Sequence, residues 1–160
     1  VYDWGHVRGE KGSEALWPKQ FGNYDHEVIN QFITKHYKRR IASWSKVLGF
    51  ADSETYAIYD ARVAMSLNAI LETIGYGNRF LMPPPSSDKL KKLFSNIRAH
   101  AKHKRGSKHP IYLGYFDYMD LLRAIVAKGL AKNVLEIEMR LFAYGMHFAE
   151  EYAKKHNIEY

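Results

Sequence analysis

Apolar residues recur at three- and four-residue steps along most of the chain. Val28, Ile29, Phe32, Ile33, Tyr37, Ile41 and Trp44 line one face of a first helix, with Asn23 or Asp25 as its cap. The pattern runs on through Val47 and Leu48 and ends near Gly49, unless the helix breaks at Arg39-Arg40. The opposite face carries Lys35, Lys38, Arg39 and Arg40. Asp52-Ser53 followed by Glu54 is a turn signal that suits one brief helical turn. Tyr56, Ile58 and Tyr59 then lead into Asp60. Beyond it Val63, Met65, Leu67, Ile70, Leu71 and Ile74 mark a strongly apolar helix that stops at Gly75-Tyr76-Gly77. Asp60 is thus a carboxylate at a helix N-terminus, where an N-cap role and a catalytic role are both open and do not exclude each other.

The stretch 76–87, YGNRFLMPPPSS, reads as a Pro-rich connection, because Pro83-Pro84-Pro85 is stiff and extended. A polyproline ligand for a partner domain is the alternative. Ser87 or Asp88 caps a helix that reaches about His103, with Leu90, Leu93, Phe94 and Ile97 on one face. Residues 106–114 form a loop, in which Ile111-Tyr112-Leu113 is too short to anchor a sheet. Tyr115, Tyr118, Met119, Leu121, Leu122, Ile125 and Val126 form the next helix, ending at Gly129. Asn133 caps the last one, which carries Val134, Leu135, Ile137, Met139, Leu141, Phe142, Met146 and Phe148 and frays into the charged tail EEYAKKHNIEY. Residues 1–23, rich in glycine, read as an irregular N-terminal arm. The expected fold is all-α, a single compact helical domain over 1–160 with about five to six helices.

Composition sharpens this picture without changing it. The chain has 46% hydrophobic residues and 14% aromatics, enough for a real core in 160 residues. It has no cysteine, which removes disulfides and thiolate metal sites and permits an intracellular setting, cytoplasm or nucleoid. No apolar run approaches the roughly 18 residues of a membrane span, so no membrane partner is expected. Net charge is +7, which favours anionic partners, nucleic acid first and acidic membrane surfaces second. The charge is unevenly spread. From Lys89 to Phe116 there is no acidic residue, and HAKHKRGSKH is the densest cation cluster of the chain. Lys102, Lys104, Arg105 and Lys108 within it, with Arg39 and Arg40, are the candidate phosphate contacts; the bland alternative is a solvated helix face.

Other chemistries are poorly served. His100, His103 and His109 lie close in sequence, but no acid stands within ten residues of His103 and its neighbours are cations that would repel a metal ion. GYGNRF lacks the Lys-Ser/Thr and preceding strand of a phosphate loop, and no nucleophile elbow for serine is present. No metal or cofactor is expected. Of Glu136, Glu138, Glu150 and Glu151 on the last helix, most should be solvated.

Three stretches carry a family resemblance. SKVLGF at 45–50, YAIYDARVAMSLN at 56–68 and LEIEMRLFAYG at 135–145 resemble proteins described as 8-oxoguanine DNA glycosylase-like, distant members of the helix-hairpin-helix DNA glycosylase superfamily. The three stretches together cover about a fifth of the chain. The resemblance implies a helix-hairpin-helix glycosylase-like fold, damaged double-stranded DNA as partner, and Asp60 as the catalytic carboxylate. It makes Lys46 the candidate nucleophile of a lyase step, although the spacing from Asp60 puts the family's lysine position near Arg40 or Ile41. Trp44, Tyr56 and Tyr59 are candidate walls of a base pocket, with core packing as their other reading. The glycine-rich hairpin of the superfamily has no counterpart, since no glycine lies between Gly22 and Gly49.

The expected function is DNA binding with base excision on damaged bases. A non-catalytic helical nucleic-acid-binding module and a protein-interaction domain for acidic partners are the alternatives. Changing Lys102, Lys104 and Arg105 together to alanine should weaken DNA binding across sequences and flatten the slope of log K against log salt by about two to three. Filter-binding titrations over a salt series check this, and unchanged affinity at low salt would remove the cluster from the binding surface.

Overall fold

The computed structural model describes residues 41–50, 52–85, 88, 91–93, 95–97 and 112–159. They are mostly helical, which agrees with the all-α expectation. The arm over 1–23, the first half of the first helix and the basic run 98–111 lie outside the described residues.

Helix α1 covers 41–50. Its described part reaches Phe50, near the expected end at Gly49, and the Asp52 N–H donates to the Leu48 carbonyl at 2.9 Å. The glycine matters for closeness, since a Cβ there would lie 3.1 Å from Ile58 Cγ1. The Asp52 turn forms as its sequence indicates, with Oδ1 accepting from the N–H groups of Glu54 and Thr55, each at 3.1 Å. An extended connection, 56–60, leads to helix α2, Ala61–Thr73.

Strand β1, Arg79–Phe80, follows α2, and helix α3 is described at 88, 91–93 and 95–97. Strand β2 is Tyr112–Leu113, helix α4 is Tyr115–Ala127 and helix α5 is Val134–Lys155. The two strands pair in parallel, Arg79 opposite Tyr112 and Phe80 opposite Leu113. Both were read as loop. Asn68 of α2 holds β1 in place beside it: its side-chain amide accepts from the Phe80 N–H at 2.8 Å and donates to the Phe80 carbonyl at 3.0 Å. Arg79, nearly buried, pairs with Glu72 and donates to the carbonyls of Tyr76 and Asn78.

Helices α2 and α4 end as their glycines suggest. Gly75 (φ +71°) and Gly129 (φ +69°) take the left-handed conformation, and Tyr76 and Leu130 N–H groups return to the carbonyls of Leu71 and Ile125. The tail departs from expectation. It does not fray: α5 continues to Lys155, Asn157 closes it in the same left-handed conformation, and Ile158 N–H donates to the Ala153 carbonyl at 2.9 Å. Apolar packing holds it, since Tyr152, Ala153 and Ile158 join Ala61, Met65, Leu93 and Ile97 in one cluster. Asn96 adds a hydrogen bond to the Glu159 carbonyl at 2.7 Å.

The larger cluster gathers Leu48, Tyr56, Ala57, Tyr59, Val63, Leu67, Phe80, Tyr115, Tyr118, Met119, Leu122, Val134, Ile137 and Leu141. Its geometry depends on α2 and α5 lying close. Ser66 donates to the Leu141 carbonyl at 2.5 Å, and a Cβ on Gly145 would stand 2.7 Å from the Arg62 carbonyl oxygen. Backbone, not a flexible side chain, blocks that position. Gly145→Ala should therefore cost about 1–3 kcal/mol, read as a lower urea midpoint at unchanged m-value. An unaltered midpoint would mean that α2 and α5 are not in this contact.

Candidate active site at Asp60

Asp60 is the N-cap of α2. Its Oδ1 accepts from the N–H groups of Arg62 at 2.8 Å and Val63 at 3.1 Å, and its carbonyl takes the first helical bond, from Ala64. Oδ2 takes no hydrogen bond among the described residues. The helix N-terminus favours a negative charge here.

What positions Asp60 is the connection before it. Tyr56, Ala57 and Tyr59 are buried. Among the described residues Ile58 and Tyr59 bond to no backbone group, so side chains must satisfy them. Glu138 of α5 accepts from the Ile58 N–H at 2.7 Å, and the Tyr118 hydroxyl of α4 donates to the Ile58 carbonyl at 3.2 Å. Ser45 of α1 accepts from the Tyr59 N–H at 2.9 Å and faces the Tyr59 carbonyl at 3.3 Å and that of Ala42 at 3.5 Å, for which its one proton is available. The Tyr115 hydroxyl donates to the Ala57 carbonyl at 3.0 Å. The Tyr59 hydroxyl in turn donates to the Leu81 carbonyl. The rings of Tyr59, Tyr115 and Tyr118 pack on one another, with centroids 5.1 to 6.2 Å apart. Burial raises the hydroxyl pKa of all three, and the charge of Glu138 raises those of Tyr115 and Tyr118 further. They remain neutral donors at any ordinary pH.

Glu138 is the residue the sequence reading missed. It was counted among helix carboxylates of which most are solvated, and it is only 5% exposed. Val134, Glu138, Leu141, Gly145 and Ala149 fall on one buried stripe of α5 at helical spacing, so its place in the stripe was a usable signal. Burial pushes its pKa up to about 6; the Ile58 N–H acts against this and the charge of Asp60 adds to it. A second carboxyl, which feels the charge of Asp60, therefore stands near the start of α2.

The other candidates are placed as follows. Tyr56 and Tyr59 flank the connection from within the core, and Trp44 is half-buried on α1 beside Ser45. Lys46, also half-buried, follows Ser45 on α1. Arg39, Arg40, Lys102, Lys104, Arg105 and Lys108 lie outside the described residues. Arg62 holds its guanidinium carbon 4.8 Å from the ring centre of Phe142 on α5, a cation–π contact. Among the described residues no group of three or more His, Asp or Glu is placed to hold a metal ion, and no helix is long and apolar enough to cross a membrane.

No family model, no curated protein and no solved structure matches the chain.

The raised Glu138 pKa has a sign. Its folded value, about 6, lies above its ordinary 4.5, so the proton is bound more tightly in the folded state. The stability this gives is complete below pH 4.5 and lost as pH rises through about 6. At roughly 1.4 kcal/mol per pH unit the interval amounts to about 2 kcal/mol. Glu138→Gln keeps an acceptor for Ile58 and cannot titrate. Denaturation at pH 4 and pH 8 should show the variant gaining about 2 kcal/mol on the wild type across that range. A difference that does not vary with pH would mean that Glu138 is not buried as a charge.

Proposed function

We propose that this chain binds damaged DNA and excises a base, with Asp60 as the catalytic carboxylate and a helix-hairpin-helix glycosylase-like fold. The observation that carries the reading is convergence. The three stretches that resemble glycosylase-like proteins meet at one place: Ser45 from the first holds Tyr59, the second supplies the connection and Asp60, and Glu138 from the third holds Ile58. Gly145, at the end of the third, lets α5 approach the Arg62 carbonyl.

The chemistry fits such a site. Excision requires a nucleotide turned out of the stack, and positive charge then develops on its sugar. A carboxylate fixed by two N–H groups on one oxygen keeps the other, which takes no hydrogen bond among the described residues, to face that charge without reorganisation at the moment of reaction. Lys46 is the candidate for a covalent step, which requires its neutral amine to attack the sugar. The net charge of +7 supports an anionic partner, and the Lys89 to Lys108 run is the proposed phosphate-contacting surface. A non-catalytic nucleic-acid-binding module is the competing reading, because a fold can outlast its chemistry.

Duplexes containing 8-oxoguanine, uracil or hypoxanthine test the proposal by release of free base. The wild type should release at least one. Asp60→Asn retains much of the cap and should lose about 1 kcal/mol of stability or less, while excision should fall on the order of 10²-fold or more. Lys46→Ala should abolish borohydride trapping of a DNA adduct if Lys46 forms the Schiff base. Equal excision by a folded Asp60→Asn protein would reduce Asp60 to a cap, and tight binding without release of any base would favour the non-catalytic module.

A further inference from the structure

Glu138 is a buried carboxyl far from Asp60 in the chain, and the base-excision reading gives it a backbone contact but no chemical step. Its carboxylate meets the backbone two residues before Asp60, at the Ile58 N–H, at 2.7 Å. A charged acceptor makes a shorter and stronger bond than a neutral one. Between that bond and the two N–H groups of Arg62 and Val63 that grip Asp60 Oδ1, the chain has little freedom: Ser45 fixes Tyr59, and Tyr118 fixes the Ile58 carbonyl.

We infer that Glu138 is a positioning residue for Asp60: by accepting the Ile58 N–H it fixes the path of the connection into the α2 cap, and with it the pose of the Asp60 carboxylate. The catalytic consequence rests on the base-excision reading; the positioning does not. Glu138 reaches Asp60 in two ways. One is mechanical, through the Ile58 and Tyr59 backbone. The other is electrostatic, since the Asp60 charge adds to the upward pull of burial on the Glu138 carboxyl. Among the described residues the hydroxyls of Tyr115 and Tyr118 on α4 also feel the Glu138 charge, and they stay neutral. Positioning should therefore tighten as Glu138 ionises, near pH 6.

Amide hydrogen exchange on wild type, Glu138→Gln and Glu138→Ala tests this without requiring catalysis. In Glu138→Ala the amides of Ile58, Arg62 and Val63 should exchange about tenfold faster or more, while Leu67 at mid-helix keeps its rate; Glu138→Gln should bring all three back to within about threefold. Acceleration at Ile58 alone would overturn the inference, since Glu138 would then satisfy one amide and leave Asp60 where it was. If Glu138→Ala does not fold, a pH series on the wild type decides instead. The Arg62 and Val63 amide resonances should show a step near pH 6 that Glu138→Gln lacks, and its presence in both proteins would overturn the inference. Excision gives the separate arm: Glu138→Ala should lower kcat with KM within about threefold, and Glu138→Gln should match the wild type best below about pH 6, where the Glu138 carboxyl is also neutral. A wild type that releases no base defeats the base-excision reading, and the exchange data still decide the positioning.

Discussion

A buried backbone N–H or C=O without a partner costs about 1–3 kcal/mol, and the connection from Tyr56 to Asp60 would incur that cost several times over. It is largely buried, yet among the described residues no strand lies beside it to pair with. Side chains from three helices do the pairing: Ser45 from α1, Tyr115 and Tyr118 from α4, Glu138 from α5. Each bond ties a helix to the same short piece of chain. The arrangement of α1, α4 and α5 around the start of α2 follows from that requirement as much as from apolar packing.

Tyrosine suits this task because it brings both parts of the answer. Its ring fills the core, and its hydroxyl reaches a carbonyl at the ring's far end. Glu138 is costlier, since a buried carboxylate loses its hydration, and that loss is the main cause that raises its pKa to about 6. The same helix α5 carries Gly145 two turns further on, where it lets the Arg62 carbonyl come close. One helix thus sets both the entry of the chain into α2 and the distance of α2 from its neighbour. A carboxylate held at the end of so constrained a connection has little entropy left to lose when it meets a transition state.

The features legible in the sequence are those that local residues decide. Asp60 and Asn133 cap the helices that follow them, Asp52 makes its turn, and Gly75 and Gly129 end α2 and α4. What escaped depends on distant partners. Leu135, Met139 and Phe142 look like core but are 37%, 59% and 38% exposed, while the buried stripe of α5 includes a carboxylate and a glycine. Burial there is chosen by the needs of the Ile58 amide, eighty residues away in the chain. The β1–β2 pair joins segments more than thirty residues apart and depends on Asn68, and the docking of the tail depends on Leu93 and Ile97. Of the candidate site, the Asp60 cap was readable and its Glu138 support was not; the proposed phosphate contacts lie outside the described residues.

The connection is part of the folded core although, among the described residues, the Ile58 and Tyr59 amides have no backbone partner. Native-state hydrogen exchange of the Ile58 and Tyr59 amides in the wild-type protein measures this directly. The account predicts that both exchange only through global unfolding, with an opening free energy equal to that of Met65 and Leu67 in α2. Exchange of Ile58 and Tyr59 through a local opening, at a free energy far below that of α2 and insensitive to denaturant, would contradict it.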